Sequence, residues 1–414
     1  MQQYEKLYER SSESLHDIPA EDFIALLEPK TEQAITFEGL KKRLNDNQKL
    51  NIKFGTDPTG PDLHLGHMVP IRVVDLFSRA GHHIDLIFGD FTAKVGDPTE
   101  RAHGRPLLDD EAIANNMKTF RAQVDKYFDT RTENVNVHTN STWLGKMTLD
   151  RVFGFLQSIN LTEATQRKDF RDRMQHGQAV SLAETIYGTL MGIDSVELKT
   201  DIEIGGIDQL LNFQQTRTVQ RSQGQKAEEI IMTPIIEGTS GDGRKMSKSY
   251  GNYVPVMASS EEIFGKIMSI PDTLIVPYLK AFAPIYKKEV FRLEEEARSN
   301  PLELKKQLGS YMVSIAASCT ADGLEARENF ERRFSSRVIT AEDAKPLNIA
   351  NNLLNTLMQS GDFNSLAEIR RLAQQGGIKI NGTKISPEEL MESHESGSIV
   401  SVGKRKIYSL LENE

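Results

Sequence analysis

Hydrophobic and polar positions change rhythm several times along the 414 residues. Up to about residue 45 they mix at helical spacing and predict a helical lead-in. The period then shortens. Leu50 to Gly55 is a β-like run, followed by a Gly/Pro-rich turn and a helical stretch from about Gly66 to Ala80. His83 to Phe88 is a second apolar run, closed by Gly89. Strand, loop, helix and strand in that order mark a βαβ unit of a parallel sheet. Between about 110 and 175 the spacing predicts mostly amphipathic helix. An apolar, Gly-punctuated stretch runs from Ser181 through Gln209, and Glu229 to Ile236 reads as a further strand. From 256 to about 345, Glu, Lys, Leu and Arg recur at helical spacing and predict a helical domain. Asp343 to Asn348, with its proline, reads as a linker, and 346–414 as a small α+β module with two helices before short strands around Gly376, Gly377, Asn381 and Gly382. The expected organisation is an α/β parallel-sheet domain with its lead-in over 1–240, a connection over 241–255, a helical domain over 256–345 and the terminal module.

Composition narrows this picture modestly. Hydrophobic residues at 38% and charged residues at 26% suit a water-soluble globular chain. No apolar run approaches the roughly 18 residues that span a bilayer. The opening MQQYEKLYER has neither a signal-peptide apolar region nor a transit-peptide bias, so a cytoplasmic location is expected. One cysteine, Cys319, excludes an intrachain disulfide framework and a cysteine-rich metal site. A net charge of −9 argues against indiscriminate nucleic-acid binding but leaves room for local basic faces.

Two segments carry candidate chemistry. The first is Gly55-Thr56-Asp57-Pro58-Thr59-Gly60-Pro61-Asp62-Leu63-His64-Leu65-Gly66-His67. It is a strand end, a tight turn and a helix start, where open parallel sheets bind ligands. Gly66 leaves room for a flat ring against the backbone. His64 and His67, three residues apart, face the same way and can each donate to a phosphate oxygen. An H-x-x-H pair also fits a metal site or an incidental pair at a helix N-terminus. The second segment is Gly241 to Ser249, in which Arg244, Lys245 and Lys248 place three cations in five residues between glycines and serines. A mobile cationic loop suits a triphosphate with a pyrophosphate leaving group; a solvated basic turn is the plain alternative. HLGH followed by KMSKS, with a parallel-sheet pattern between, is far more specific than either alone.

On these residues the chain resembles the class I aminoacyl-tRNA synthetases, and within them the bacterial tyrosyl-tRNA synthetases with an intact KMSKS. The resemblance runs through KFGTDPTGPDLHLGH, IFGDFTAKVGDPTER, the YGTLMGIDS region, GGIDQLLN, and KMSKS with GNY. From SLAEIRRLAQQGGIKINGTKI to VGKRKIY the chain resembles an S4 RNA-binding domain. The resemblance implies a Rossmann-like catalytic domain that activates tyrosine with ATP and loads it onto tRNA(Tyr). It implies that His64, His67 and Thr59 stabilise the phosphates during adenylation. Lys245 and Lys248 hold pyrophosphate, Gly66 and Asp208 bind the nucleotide, Gln209 sits near the reacting carboxylate, and Asp57 is among the residues that bind the amino acid. Asp97 and Tyr187 bind the substrate ammonium beside Met191, and Asp194 accepts the phenol hydrogen. Arg370, Arg371, Lys379, Lys384, Lys404, Arg405 and Lys406 form an RNA-binding face. Magnesium accompanies ATP, and a homodimer is implied. No metal ligands are visible in the sequence, and no membrane association is expected.

The chain departs from the family pattern around the amino-acid pocket. Met191 stands where a Gln is usual, Ile193 for a Tyr, Ile207 for a Ser or Thr, and Ala179, Ala183 and Gly188 for a Pro, a His and a Pro. Lys53 occupies a position where some members have a phenol-reading Tyr, although this branch of the family often has Lys there. The changes run toward smaller or more apolar side chains, and methionine is a weak acceptor at best. Two other readings follow: a paralogue that activates a tyrosine analogue, and a non-catalytic RNA-binding protein on a synthetase scaffold. Pyrophosphate exchange with tyrosine and a panel of aromatic acids separates the tyrosyl enzyme from the paralogue; the intact HLGH and KMSKS speak against the non-catalytic reading, which Lys245→Ala with Lys248→Ala tests.

Overall fold

The computed structural model describes residues 3–46, 49–97, 108–334, 344–363, 365–392, 394–403 and 406–412. The chain forms two compact units, Met1–Leu324 and Glu325–Glu414.

The first unit is built on a six-stranded sheet. Its strands are β1 (Gln33–Ile35), β2 (Asn51–Thr56), β3 (His83–Phe88), β4 (Val135–Thr139), β5 (Ile202–Gly206) and β6 (Glu229–Thr233). The spatial order is β1-β6-β5-β2-β3-β4. All neighbours are parallel except β1, which pairs antiparallel with β6 through Gln33↔Met232 and Ala34↔Ile231. Central strands covered on both faces need continuous apolar runs. β3 meets this with Ile84, Leu86, Ile87 and Phe88, each 2% exposed or less. Sequence and space diverge between β2 and β5, because β3 and β4 lie on one side of β2 while β5 and β6 lie on the other. That reversal falls between β2 and β5, and a doubly wound sheet takes its ligand beyond the carboxyl ends of its strands at such a point.

Two expectations need correction. The stretch 110–175 is mostly helix, as expected, but not throughout: β4 interrupts it and pairs in register with β3 from Ile84↔Val135 to Phe88↔Thr139. VNVHT alternates apolar and polar positions because one face of this edge strand is open, a weak signal beside the helical runs around it. The supposed linker at 343–348 contains an edge strand, β7 (Lys345–Asn348), parallel to β11 (Lys406–Leu411). Pro346 is tolerated there because an edge strand has one side free of ladder bonds.

Helices follow the sheet, and those over 260–317 belong to the first unit. Lys30 shows how the lead-in is fastened. Its ammonium, 1% exposed, donates to the carbonyls of Lys280, Ala281 and Ala283 at 3.0, 3.2 and 2.6 Å. These lie at the C-terminus of the helix Ile275–Phe282, where unsatisfied carbonyls favour a cation.

The second unit carries helices Leu353–Gln359 and Leu366–Gln374 and a five-stranded sheet ordered β7-β11-β10-β8-β9. The remaining strands are β8 (Ile378–Ile380), β9 (Thr383–Lys384) and β10 (Ile399–Val402). Its own core includes Leu357, Ile369, Ile378, Leu390, Val400 and Tyr408.

Candidate functional site

The turn after β2 and the helix Leu65–Arg79 hold the two histidines in defined roles. His64 is the N-cap in extended conformation, and its Nδ1 accepts from the backbone N–H of Gly66 at 3.2 Å. His67 Nδ1 accepts from the backbone N–H of His64 at 3.1 Å. Both Nδ1 lone pairs are therefore used, which puts each ring proton on Nε2. The rings lie 3.9 Å apart by centroid. Burial first, then His67, Lys248 and Lys245, hold His64 down to about 2; burial first, then the two lysines, hold His67 at about 4 against the bond from the His64 backbone. At neutral pH both are uncharged Nε2–H donors. Gly66 is required by this packing, since a Cβ would come within 2.9 Å of the His64 ring.

The KMSKS segment sits against this helix start. A Cβ on Gly66 would be 3.8 Å from Met246, which is 4% exposed. Leu65 N–H donates to Val254 O at 3.0 Å, Val256 N–H donates to Leu63 O at 3.0 Å, and Lys248 Nζ lies 3.4 Å from Asp62. The backbone is pinned at two points: Met246 N–H donates to Ile236 O at 2.9 Å, and Asn252 Oδ1 accepts from Ser247 N–H at 2.8 Å. Gly241 and Gly243 adopt φ of 69° and 76°, and Lys245 is left exposed beside the cleft.

Behind these motifs lies a polar network. Asp57 accepts from Thr92 Oγ1 at 2.7 Å and from the Tyr187 hydroxyl at 2.9 Å. Thr92 also accepts from Asn140 Nδ2 at 3.1 Å, and the same amide group donates to Asp194 Oδ2 at 3.2 Å. Trp143 Nε1 donates to Asp194 Oδ1 at 2.7 Å. Asp194, 4% exposed, is raised to about 6 by burial; Lys53 and the bonds from Trp143 and Asn140 oppose that rise. Gln209 Nε2 donates to Asp97 Oδ2 at 2.5 Å and its Oε1 accepts from Asn212 at 2.6 Å; Arg167 Nη1 donates to Asn212 at 3.3 Å. Asp208 is raised by burial and by Asp97, against the pull of Lys245 and Arg167.

The structure thus brings together His64, His67, Gly66, Lys245 and Lys248 as one group. Asp57, Tyr187 and Asp194 are joined through Thr92 and Asn140, and Asp97, Gln209 and Asp208 lie together. Thr59 lies in the same turn, its N–H donating to Asp57 O at 2.8 Å. The side chain of Met191 packs with Phe213, Ile230 and Met232, alongside Ile207 and Leu210. Arg370, Arg371, Lys379 and Lys384 are exposed on the second unit, with Lys379 opposite Lys384 in the β8–β9 pair. Lys404 and Arg405 lie outside the described residues. Sequence reasoning missed Asn140, Trp143 and Thr92. The signal available was the lone tryptophan, four residues beyond the end of an unrecognised strand.

An open parallel sheet with uncharged imidazole donors and a cationic loop beyond its strands suits an enzyme that uses a nucleotide. Residues 45–335 match the family described as tRNA synthetases class I (W and Y), and the chain belongs to that family. The tyrosine–tRNA ligase of Thermotoga maritima is 34% identical over 395 residues, covering 94% of this chain and 97% of that one. That of Aquifex aeolicus is 36% identical, with 94% and 99% covered. The tyrosine–tRNA ligase 2 of Vibrio parahaemolyticus is 35% identical, with 92% and 96% covered. The fold matches the mitochondrial tyrosyl-tRNA synthetase of Aspergillus nidulans with a TM-score of 0.62, at 20% identity over 80% of this chain and 99% of that one. It matches the Archaeoglobus fulgidus tyrosyl-tRNA synthetase, solved with L-tyrosine, at 0.58, with 22% identity and 74% and 99% covered.

Proposed function

We infer that this chain is a tyrosine–tRNA ligase, which joins tyrosine to ATP as tyrosyl-adenylate and transfers the tyrosyl group to tRNA(Tyr). The observation that carries the choice of amino acid is Asp194. It is a buried carboxylate held by Trp143 and Asn140 and linked through Thr92 to the Asp57–Tyr187 pair. Such a group accepts the phenol hydrogen of tyrosine and is left unpaired by phenylalanine, a discrimination for which a tyrosyl enzyme is the standard worked case.

The substrate carboxylate attacks the α-phosphorus of ATP, and pyrophosphate leaves; no protein nucleophile takes part. Asp97, kept in place by Gln209, and Tyr187 hold the ammonium. His64, His67 and Thr59 donate to the phosphates as charge builds, and the neutral imidazoles need no proton transfer to do so. Lys245 and Lys248 close on the leaving pyrophosphate. Gly66 and Asp208 receive the nucleoside, Gln209 lies beside the reacting carboxylate, and Asp57, which accepts from Tyr187, is among the residues that bind the amino acid. Magnesium enters with ATP, on the phosphates. A ribose hydroxyl of tRNA then attacks the acyl carbon and AMP departs.

The exposed basic residues Arg370, Arg371, Lys379 and Lys384 support 346–414 as an S4-like RNA-binding module, with 256–345 serving the anticodon arm. Large apolar side chains left exposed at Leu149, Phe153, Leu161 and Leu182 support a homodimer. No described helix is long and apolar enough to cross a membrane, and a cytoplasmic location fits the reading.

The apolar setting of Met191 favours a second reading, activation of a tyrosine analogue altered at its amine. Pyrophosphate exchange decides. Saturable exchange with L-tyrosine, far above that with phenylalanine or amine-modified tyrosines, is expected; efficient exchange with an analogue but not tyrosine overturns the assignment.

A further inference from the structure

Lys53 lies in the middle of β2, 2% exposed, where a cation is costly to bury. Its ammonium makes three bonds: to Glu203 Oε1 on β5 at 2.8 Å, to Ser195 Oγ at 2.6 Å and to the Met191 carbonyl at 3.0 Å. The last two belong to one turn of the helix Tyr187–Leu198, the turn that carries Asp194. Glu203 and Glu228, 1% and 0% exposed, each leave Oε2 without a hydrogen-bond partner, while Thr216 Oγ1 holds Glu228 Oε1 at 2.5 Å.

A buried ion pair of this kind adds little to stability over apolar residues of the same volume. Its position supplies a reason for it. We propose that Lys53 is a positioning residue for amino-acid selection: anchored on Glu203, it clamps the 191–195 turn and supplies the buried positive charge that keeps Asp194 an ionised acceptor for the substrate phenol. This rests on the tyrosine reading above.

The electrostatics agree with that geometry. Burial alone would lower Lys53, but Glu203, Glu228 and Asp194 outweigh it and raise it, so the cation persists through neutral pH. Burial first, then Glu228, pushes Glu203 well above the ordinary carboxyl range. Asp194 faces Lys53 from β2, Trp143 and Asn140 from the segment after β4, and Asp90 from the turn after β3. Of these, Lys53 is the only cation. A carboxyl raised in this way accepts the phenol above its folded pKa and loses that ability as pH falls through about 6.

The test is KM for tyrosine in pyrophosphate exchange between pH 5 and 9, with KM for ATP measured alongside. The wild-type KM for tyrosine should rise below about pH 6. In Lys53→Met the rise should begin about one pH unit or more higher, as expected when an opposite charge that acts on the carboxyl is removed. KM for ATP and the rate at saturating tyrosine above pH 8 should stay within about twofold. The double variant Lys53→Met/Glu203→Gln removes both ions together, so it decides the matter if the single variant does not fold. A midpoint moved upward in either variant supports the inference. A folded variant whose midpoint stays in place, or whose KM rises by one factor at every pH, overturns it and leaves a purely structural lysine. Failure of the wild-type enzyme to exchange with tyrosine at all defeats the tyrosine reading, and this inference with it.

Discussion

Replacing Trp143 with phenylalanine keeps most of the ring volume and deletes one donor. The lost bond is the 2.7 Å contact from Nε1 to Asp194 Oδ1. A hydrogen bond to a buried charged group is worth about 1.5–3 kcal/mol. At 1.36 kcal/mol per pH unit, this raises Asp194 from about 6 to roughly 7–8. At pH 7 the ionised fraction then falls from about nine-tenths to between about one-half and one-tenth. Only the ionised form accepts the phenol hydrogen, so KM for tyrosine should rise about two- to tenfold at pH 7. It should return toward the wild-type value by pH 9, where the carboxyl is ionised in both proteins. Pyrophosphate exchange against tyrosine concentration at several pH values measures this directly. A KM that does not change, or one raised by the same factor at pH 7 and pH 9, refutes the role given to the Trp143–Asp194 bond. Trp143 is also the single tryptophan of the chain, so in the wild-type protein its fluorescence reports tyrosine binding without a label.

Lys245→Ala with Lys248→Ala should slow adenylate formation by about a hundredfold or more, since two charges opposite the leaving group are lost, while tRNA binding by filter retention changes little. Adenylate formation that is undiminished would remove the loop from the mechanism. Because His64 and His67 are held down to about 2 and about 4, neither changes charge between pH 5.5 and 8. The single-turnover rate at saturating substrates should therefore show no inflection near 6.5 in that range, and His64→Ala should lower its level without altering its shape. An inflection near 6.5 that disappears in His64→Ala would contradict the neutral-donor role. Lys30→Ala strands three carbonyls at the end of the helix Ile275–Phe282 and should cost about 3 kcal/mol in urea unfolding, with KM values nearly unchanged. A midpoint equal to wild type would show that water replaces the ammonium.

Much of this protein was legible from local pattern alone. Strands β2, β3 and β6, the helix that begins at HLGH and the two signature segments all follow from short-range chemistry: apolar runs, a turn rich in Gly and Pro, and a histidine able to cap a helix. That HLGH and KMSKS share a crevice follows from the order of strands around β2, which no local window contains, and the Leu65–Val254 and Leu63–Val256 bonds fix it. β4 was invisible for a similar reason. An edge strand of five residues is stabilised by its ladder to β3 more than by its own periodicity, and the helical pattern around it dominates. Missing that strand hid Asn140 and Trp143, so the partners of Asp194 were hidden too. Lys53 makes the same point with charge. Along the chain it is one more lysine in a strand, usually a sign of an exposed edge. Only the packing of β2 between β3 and β5, beneath the 191–195 turn, places its ammonium in the interior among Glu203, Ser195 and the Met191 carbonyl. Residue types decide which groups can bond or ionise, and the fold decides which of them meet and how much water is left between them.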